Sequence, residues 1–126
     1  MIQTFAQVAA GGAIGASARY LVVAWATRFF GPGFPLGTLA VNVIGSLAIG
    51  ALSVILLSPK GNAALSPLLI TGVLGGFTTF SAFSLDVMRL IEAGRMGTAA
   101  LYMVLSVVLS LVACALGMWM ARGGVL

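Results

Sequence analysis

The chemistry open to this chain is that of hydroxyls and one well-placed amide, not of ionisable groups. There is no histidine, a single cysteine (Cys114), and only two acids, Asp86 and Glu92, both near the end of one apolar run. General acid–base catalysis or a metal centre of side-chain ligands needs such groups to converge, so this is not the sequence of an enzyme. The remaining polar groups are regularly spaced. Thr38, Asn42 and Ser46 stand four apart, as do Tyr102, Ser106 and Ser110, which puts each set on one face of a helix. A third group, Thr78, Thr79, Ser81 and Ser84, follows a glycine pair in TGVLGGFTTFSAFS (Thr71–Ser84). Any one Ser or Thr in a membrane helix can bond back to its own backbone or join two helices. Gly11, Gly15, Gly72 and Gly76, at GxxxG spacing, fit plain close packing in the same way. Three stripes in so small a chain, one with an asparagine whose amide needs partners, favour a lined polar pathway over helix glue.

The elements that must carry these stripes are membrane spans. The 126 residues are 61% hydrophobic and 6% charged, with mean hydropathy +1.20, far too little charge for a soluble domain of this size. Residues 29–59, 61–85 and 96–121 carry no charge, and each run exceeds the ~20 residues that cross a bilayer as helix. A first apolar run reaches from the N-terminus to Thr27, interrupted by Arg19. The reading is all-α: one four-helix transmembrane domain, residues 1–126, with spans at approximately 4–28, 35–57, 67–88 and 97–121. Pro35 and Pro67 are expected at first helical positions, where a missing N–H costs nothing. The first span lacks a basic region ahead of it and contains Arg19, unlike a signal peptide. Cys114 lies inside the fourth span and can form no internal disulfide.

The net charge of +4 comes from scattered basic residues, not from a patch that would hold nucleic acid. With four spans, Lys60 and Arg122 fall on one side, and Arg28 and Arg95 on the other with Arg89 near the membrane edge. That is almost no positive-inside bias. Either other features orient the chain, or it inserts both ways and works as an antiparallel pair.

The glycine pair falls at the midpoint of the third span, since residues 67–85 centre on Gly76. Two glycines there weaken the helix by roughly 1 kcal/mol each against alanine. Non-helical backbone at that depth is tolerated only where it is buried in protein or lines a cavity, and its freed carbonyls make a cation site. A straight helix packed tightly through its glycines is the alternative.

GGAIGASARY (Gly11–Tyr20), GTLAVNVIGS (Gly37–Ser46) and GVLGGFTTFSAFS (Gly72–Ser84), in this order and spacing, resemble the Fluc (CrcB) family of fluoride channels over essentially the whole chain. The resemblance implies a passive, fluoride-selective channel of the bacterial inner membrane that exports fluoride from the cytoplasm and so relieves its toxicity. It further implies a dual-topology, antiparallel homodimer, a third helix broken at mid-membrane, and a structural sodium ion that is not transported. On this sequence the sodium ligands would be the backbone carbonyls of Gly75 and Thr78, and the pore phenylalanines would be Phe80 and Phe83. Asn42 and Tyr102 match the family's span-two asparagine and span-four tyrosine, and Arg19 its intramembrane arginine. Ala82 departs from the pattern, standing where many members have Thr or Ser.

The residues are coherent with that function. Fluoride is small and tightly hydrated, so the loss of its water must be offset by donors. Asn42 and the hydroxyls of Ser81, Ser84, Tyr102, Ser106 and Ser110 are the candidates for an ion pathway. A full positive charge in the path would hold the ion too tightly to release it. Phe80 and Phe83 lie on one helix face, where their electropositive ring edges could meet an anion or simply pack. Arg19 either draws anions into a vestibule or serves structure, by snorkelling or by pairing with carbonyls. Two other classes compete. A small dual-topology multidrug transporter would need an intramembrane carboxylate, and a purely structural membrane protein would not need ordered stripes.

Overall fold

The computed structural model describes residues 1–124. All regular elements among them are helical, and four stretches are long and apolar enough to cross a membrane: Ile2–Phe30, Leu36–Leu57, Ala63–Glu92 and Met96–Gly123. The helices are α1 (Ile2–Phe30), α2 (Leu36–Leu57), α3 (residues 67–77), α4 (Phe80–Glu92) and α5 (Met96–Trp119). A short 3₁₀ turn, Ala63–Leu65, leads into α3, and a wider-wound turn, Met120–Gly124, follows α5.

Local sequence explains each reversal. Gly31 ends α1 at φ 78°, its N–H donating to the Thr27 carbonyl at 2.9 Å, and Pro32 prevents continuation. Arg28 in the last turn of α1 complements the helix dipole. Pro35 is the residue just before α2, one position earlier than expected, while Pro67 opens α3 as its missing donor allows. Between α4 and α5, Gly94 takes φ 76° and donates to the Ile91 carbonyl at 3.0 Å, while the Arg95 N–H donates to that of Leu90 at 2.9 Å. This paired closure, six-to-one and five-to-two, requires a left-handed residue, which is why glycine stands there. The Arg95 guanidinium then donates to the Gly33 carbonyl and ties this turn to the α1–α2 loop at the same end of the bundle.

Two close pairings fix the bundle. On α1, Gly11 and Gly15 lie against α3: a Cβ on Gly11 would come within 2.9 Å of the Gly72 Cα, and one on Gly15 within 2.9 Å of the Phe77 nitrogen. Gly76 answers from α3, where a Cβ would approach the Gly12 carbonyl oxygen to 2.8 Å. Backbone contact of this kind replaces the hydrophobic drive that lipid does not supply. The second pairing is α2 on α5. They run in the same direction, with Gly50 against the Cys114 backbone and Gly117 against Leu47 and Ala51. In that register Thr38, Asn42 and Ser46 face Tyr102, Ser106 and Ser110. A compact apolar cluster of Val87, Leu90, Ala99 and Tyr102 closes α4 onto α5, with Phe34, Leu39, Phe83 and Ile91 against it. Many large apolar side chains, among them Ile14, Trp25, Phe29, Val104, Leu111 and Trp119, are exposed on the outside, as suits helices solvated by lipid.

The third span is irregular at a place the sequence put slightly too early. Residues Pro67–Leu74 are wound as a π-helix, and Gly75–Phe77 continue as a turn of α-helix, with Gly75 at φ −62°, ψ −37°. The glycine pair is therefore helical. The small size of Gly76 serves contact with α1, while Gly75 touches nothing on that helix. Helical winding stops at Thr78 (φ −85°, ψ 158°) and Thr79 (φ −155°, ψ 120°), and α4 begins at Phe80.

Candidate functional site

Asn42 explains why the backbone can leave helical geometry at Thr78 and Thr79. Its Nδ2 donates to the Thr79 carbonyl at 3.0 Å, and its Oδ1 accepts from the Thr79 N–H at 2.7 Å. One amide side chain thus satisfies both polar groups of an extended residue, as a neighbouring strand would. Thr78 folds its hydroxyl onto the Leu74 carbonyl at 2.9 Å. The Thr79 hydroxyl accepts from the Ala82 N–H at 3.1 Å and so caps α4. These substitutions free carbonyls that a continuous helix would occupy. Gly75 loses its usual donor because the Thr79 N–H goes to Asn42, and Thr78 loses its own because the Ala82 N–H goes to the Thr79 hydroxyl. The Gly76 carbonyl is met instead by Arg19 Nε at 3.0 Å. Arg19 therefore sits in the structure as a carbonyl partner, binding α1 to the end of α3.

Beside this junction lies a cavity of about 420 Å³. It is lined by Asn42 and Ser46 from α2, Thr78 and Thr79 from the extended link, Phe80 and Phe83 from α4, and Ser106 and Ser110 from α5, with apolar side chains filling the rest. Among the described residues no charged side chain lines it. Of its hydroxyls, that of Thr78 bonds back to its own helix in the ordinary way, whereas that of Ser106 does not. Thr27, Ser53, Ser58 and Ser84 all donate to a carbonyl of their own helix at 2.8–3.1 Å, the ordinary resolution for a hydroxyl in an apolar setting. Ser106 is only 6% exposed, yet among the described residues its buried Oγ has no hydrogen-bond partner, a condition it shares with Ser66 just before α3. A buried unpaired hydroxyl costs roughly 1–3 kcal/mol, so it marks a place where something else completes the bond.

An aromatic row runs from the cavity towards the α1–α2 end. Phe80 and Phe83 have ring centroids 5.5 Å apart, Phe83 and Tyr102 5.2 Å, and Tyr102 and Phe34 5.6 Å in an edge-on arrangement. Phe80 is 78% exposed, whereas Tyr102 is completely buried. The Tyr102 hydroxyl donates to Asp86 Oδ2 at 3.0 Å. Beyond it a second cavity, about 450 Å³, is lined by Thr38, Asp86, Arg89 and Arg95 among others.

The structure therefore gathers Asn42, Thr78, Phe80, Phe83, Ser106 and Ser110 around one space, with Tyr102 as its inner neighbour. It places Ser81 and Ser84 elsewhere: both are exposed, Ser84 bonds back to the Phe80 carbonyl, and Ser81 Oγ lies 3.4 Å from the Thr79 hydroxyl. Sequence reasoning missed Thr79 as the residue gripped by Asn42, and Asp86 as the partner of Tyr102. The second had a legible signal, because Asp86 and Tyr102 are equidistant from Gly94 and so face each other across a helical hairpin.

The family model described as CrcB-like protein, Camphor Resistance (CrcB), matches residues 6–118. The chain belongs to the CrcB family. It is 56% identical over 123 residues to a protein of Cereibacter sphaeroides (strain ATCC 17029 / ATH 2.4.9) named fluoride-specific ion channel FluC, covering 98% of each chain. Proteins of the same name in Ruegeria sp. (strain TM1040) and Paracoccus denitrificans are 56% and 55% identical, again over 98% of each chain. These CrcB relatives are named as ion channels, not as enzymes. Four spanning helices and membership of this bacterial family make the chain a multi-pass protein of the bacterial inner membrane.

Proposed function

We propose that this CrcB protein is a passive, fluoride-selective channel that lets fluoride leave the cytoplasm and so relieves its toxicity. The observation that carries this reading is the uncharged cavity beside Thr78 and Thr79, where the Asn42 amide and the Ser46, Ser106 and Ser110 hydroxyls converge next to two phenylalanine rings. Fluoride is the halide that accepts hydrogen bonds most strongly, and unpaired donors in an apolar cavity are what can replace its water. Donors without full charge hold it weakly enough for release. The relatives' printed names agree with this chemistry.

The working unit is an antiparallel, dual-topology homodimer. A single chain leaves Phe80 and the cavity largely uncovered, and its basic residues are balanced between the two ends. In that dimer the third span is broken at mid-membrane at Thr78–Thr79. The Gly75 and Thr78 carbonyls, both deprived of their helical donors, form an all-oxygen set suited to a hard cation. They would hold the structural sodium ion together with the same pair from the second copy. Such an ion supplies fixed positive charge that neutralises the converging carbonyl dipoles. Fluoride moves along Asn42, Ser106, Ser110 and Tyr102, flanked by the ring edges of Phe80 and Phe83, while Ser81 and Ser84 lie on the exposed face of α4 nearest the second copy.

Phe80→Ile and Phe83→Ile remove ring edges but keep apolar bulk. Each is expected to lower fluoride efflux from proteoliposomes by about 10-fold or more, the worth of one good contact to an ion, while crosslinking still traps a dimer. Unchanged efflux in both would remove the rings from the mechanism, and crosslinking that traps only monomers or parallel dimers would overturn the assembly.

A further inference from the structure

Besides Asn42, α2 carries a second donor that lines the cavity opposite the α5 hydroxyls. Ser46 lines the cavity together with Ser106 and Ser110. It lies one helical turn beyond Asn42 on α2, level with Ser110 in the parallel packing of α2 on α5. Among the described residues Ser46 Oγ makes no hydrogen bond, either to its own helix or across to Ser110, unlike Ser53 about two turns further on, which donates to the Gly50 carbonyl at 2.8 Å. A serine used to glue two helices would be bonded across them. One left over from close packing would be bonded back to its helix, as Ser53, Ser58 and Ser84 are.

We infer that Ser46 is a specificity-determining residue of the ion path, which with Ser106 and Ser110 forms a two-helix hydroxyl site for one small, strongly accepting anion. This role of Ser46 rests on the fluoride function proposed above. The site needs both helices. α5 alone presents its hydroxyls along one edge, so an ion held there keeps water on its other side and is poorly distinguished from a larger halide. A donor from α2 closes that side. Because the spacing is set by backbone contact of Gly50 with Cys114 and Gly117 with Leu47 and Ala51, the gap cannot widen freely to admit chloride. Rigid spacing and donors from two sides together favour the smaller ion.

The test measures fluoride and chloride efflux from proteoliposomes containing wild-type protein, Ser46→Ala, Ser46→Thr, Ser110→Ala, the Ser46→Ala/Ser110→Ala double variant, and Ser53→Ala as a control. Ser46→Ala is expected to reduce fluoride efflux about 10-fold and to narrow the fluoride-to-chloride ratio, the loss corresponding to one hydrogen bond to a charged group. Ser46→Thr, which restores the hydroxyl, is expected to recover efflux to within about threefold of wild type, and Ser53→Ala to match wild type. In the double variant the losses are expected to be less than multiplicative, because both residues serve one ion. Ser46→Ala with wild-type efflux and wild-type selectivity overturns the inference. So does a loss that Ser46→Thr fails to recover, which would mean a packing role. If the wild-type protein itself passes no fluoride, the functional reading fails instead, a result separable from either of these.

Discussion

Replacing Asn42 with aspartate is expected to lower fluoride efflux about 100-fold with the chain still folded and inserted. The substitution keeps the shape and the oxygen that accepts from the Thr79 N–H at 2.7 Å, but it turns the donor facing the Thr79 carbonyl at 3.0 Å into a second acceptor. As a carboxylate it sets two acceptors against one another in an apolar setting and carries a negative charge into the anion path. Each arm of the clamp, as a bond in a partly buried site, is worth on the order of 1–3 kcal/mol, so losing one and adding repulsion reaches about two decades. Asn42→Ala should match it in efflux but also loosen the junction, because the polar groups of Thr79 are left without their partner. Fluoride efflux with size-exclusion elution as the folding control checks both. Wild-type efflux in Asn42→Asp would mean that the clamp does not hold the path.

The second large effect is on stability. Gly15→Ala is expected to destabilise the protein by about 2–3 kcal/mol, because its Cβ would collide with the Val73 carbonyl and press on the Phe77 nitrogen, both backbone atoms that cannot rotate away. Relief would require α1 to separate from α3, which would also stretch the bond from Arg19 to the Gly76 carbonyl. Gly12→Ala, three residues away, meets nothing within 4 Å among the described residues and gains helix propensity. Thermal unfolding in detergent should therefore show a clearly lowered midpoint for Gly15→Ala and an unchanged or slightly raised one for Gly12→Ala. Equal midpoints would refute the backbone-contact account of the α1–α3 pairing.

What could be read from the sequence depended on whether the feature was periodic or relational. The four spans follow from long apolar runs, the first interrupted by Arg19, since lipid forces each to satisfy its backbone internally, and four helices are long and apolar enough to cross. The four-residue spacing of Thr38, Asn42 and Ser46 and of Tyr102, Ser106 and Ser110 put each set on one face, and the parallel packing of α2 on α5 then brought the two faces together. The glycine pair was harder. Weak helix propensity at Gly75 and Gly76 suggested the departure there, but the pair stays helical, with Gly76 packed against the backbone of α1. The departure comes at Thr78 and Thr79, where a side chain from another helix supplies the lost bonds. No local pattern encodes that, because the cause lies 37 residues away on α2. Arg19 is similar. The sequence left it between attracting anions and pairing with carbonyls, and only the packing of α1 on α3 brings the Gly76 oxygen to its Nε. Ser81 and Ser84 looked equivalent to Ser106 and Ser110 by type, yet α4 turns them outward.

The central claim is that the uncharged hydroxyl cavity between α2, α4 and α5 passes fluoride and rejects chloride. The most direct measurement is passive efflux of each halide from proteoliposomes of the purified wild-type protein, with potassium and its ionophore present to prevent a membrane potential from halting the flow. The account predicts rapid release of fluoride and retention of chloride at the level of protein-free vesicles. Comparable release of both ions, or release of neither, would contradict it.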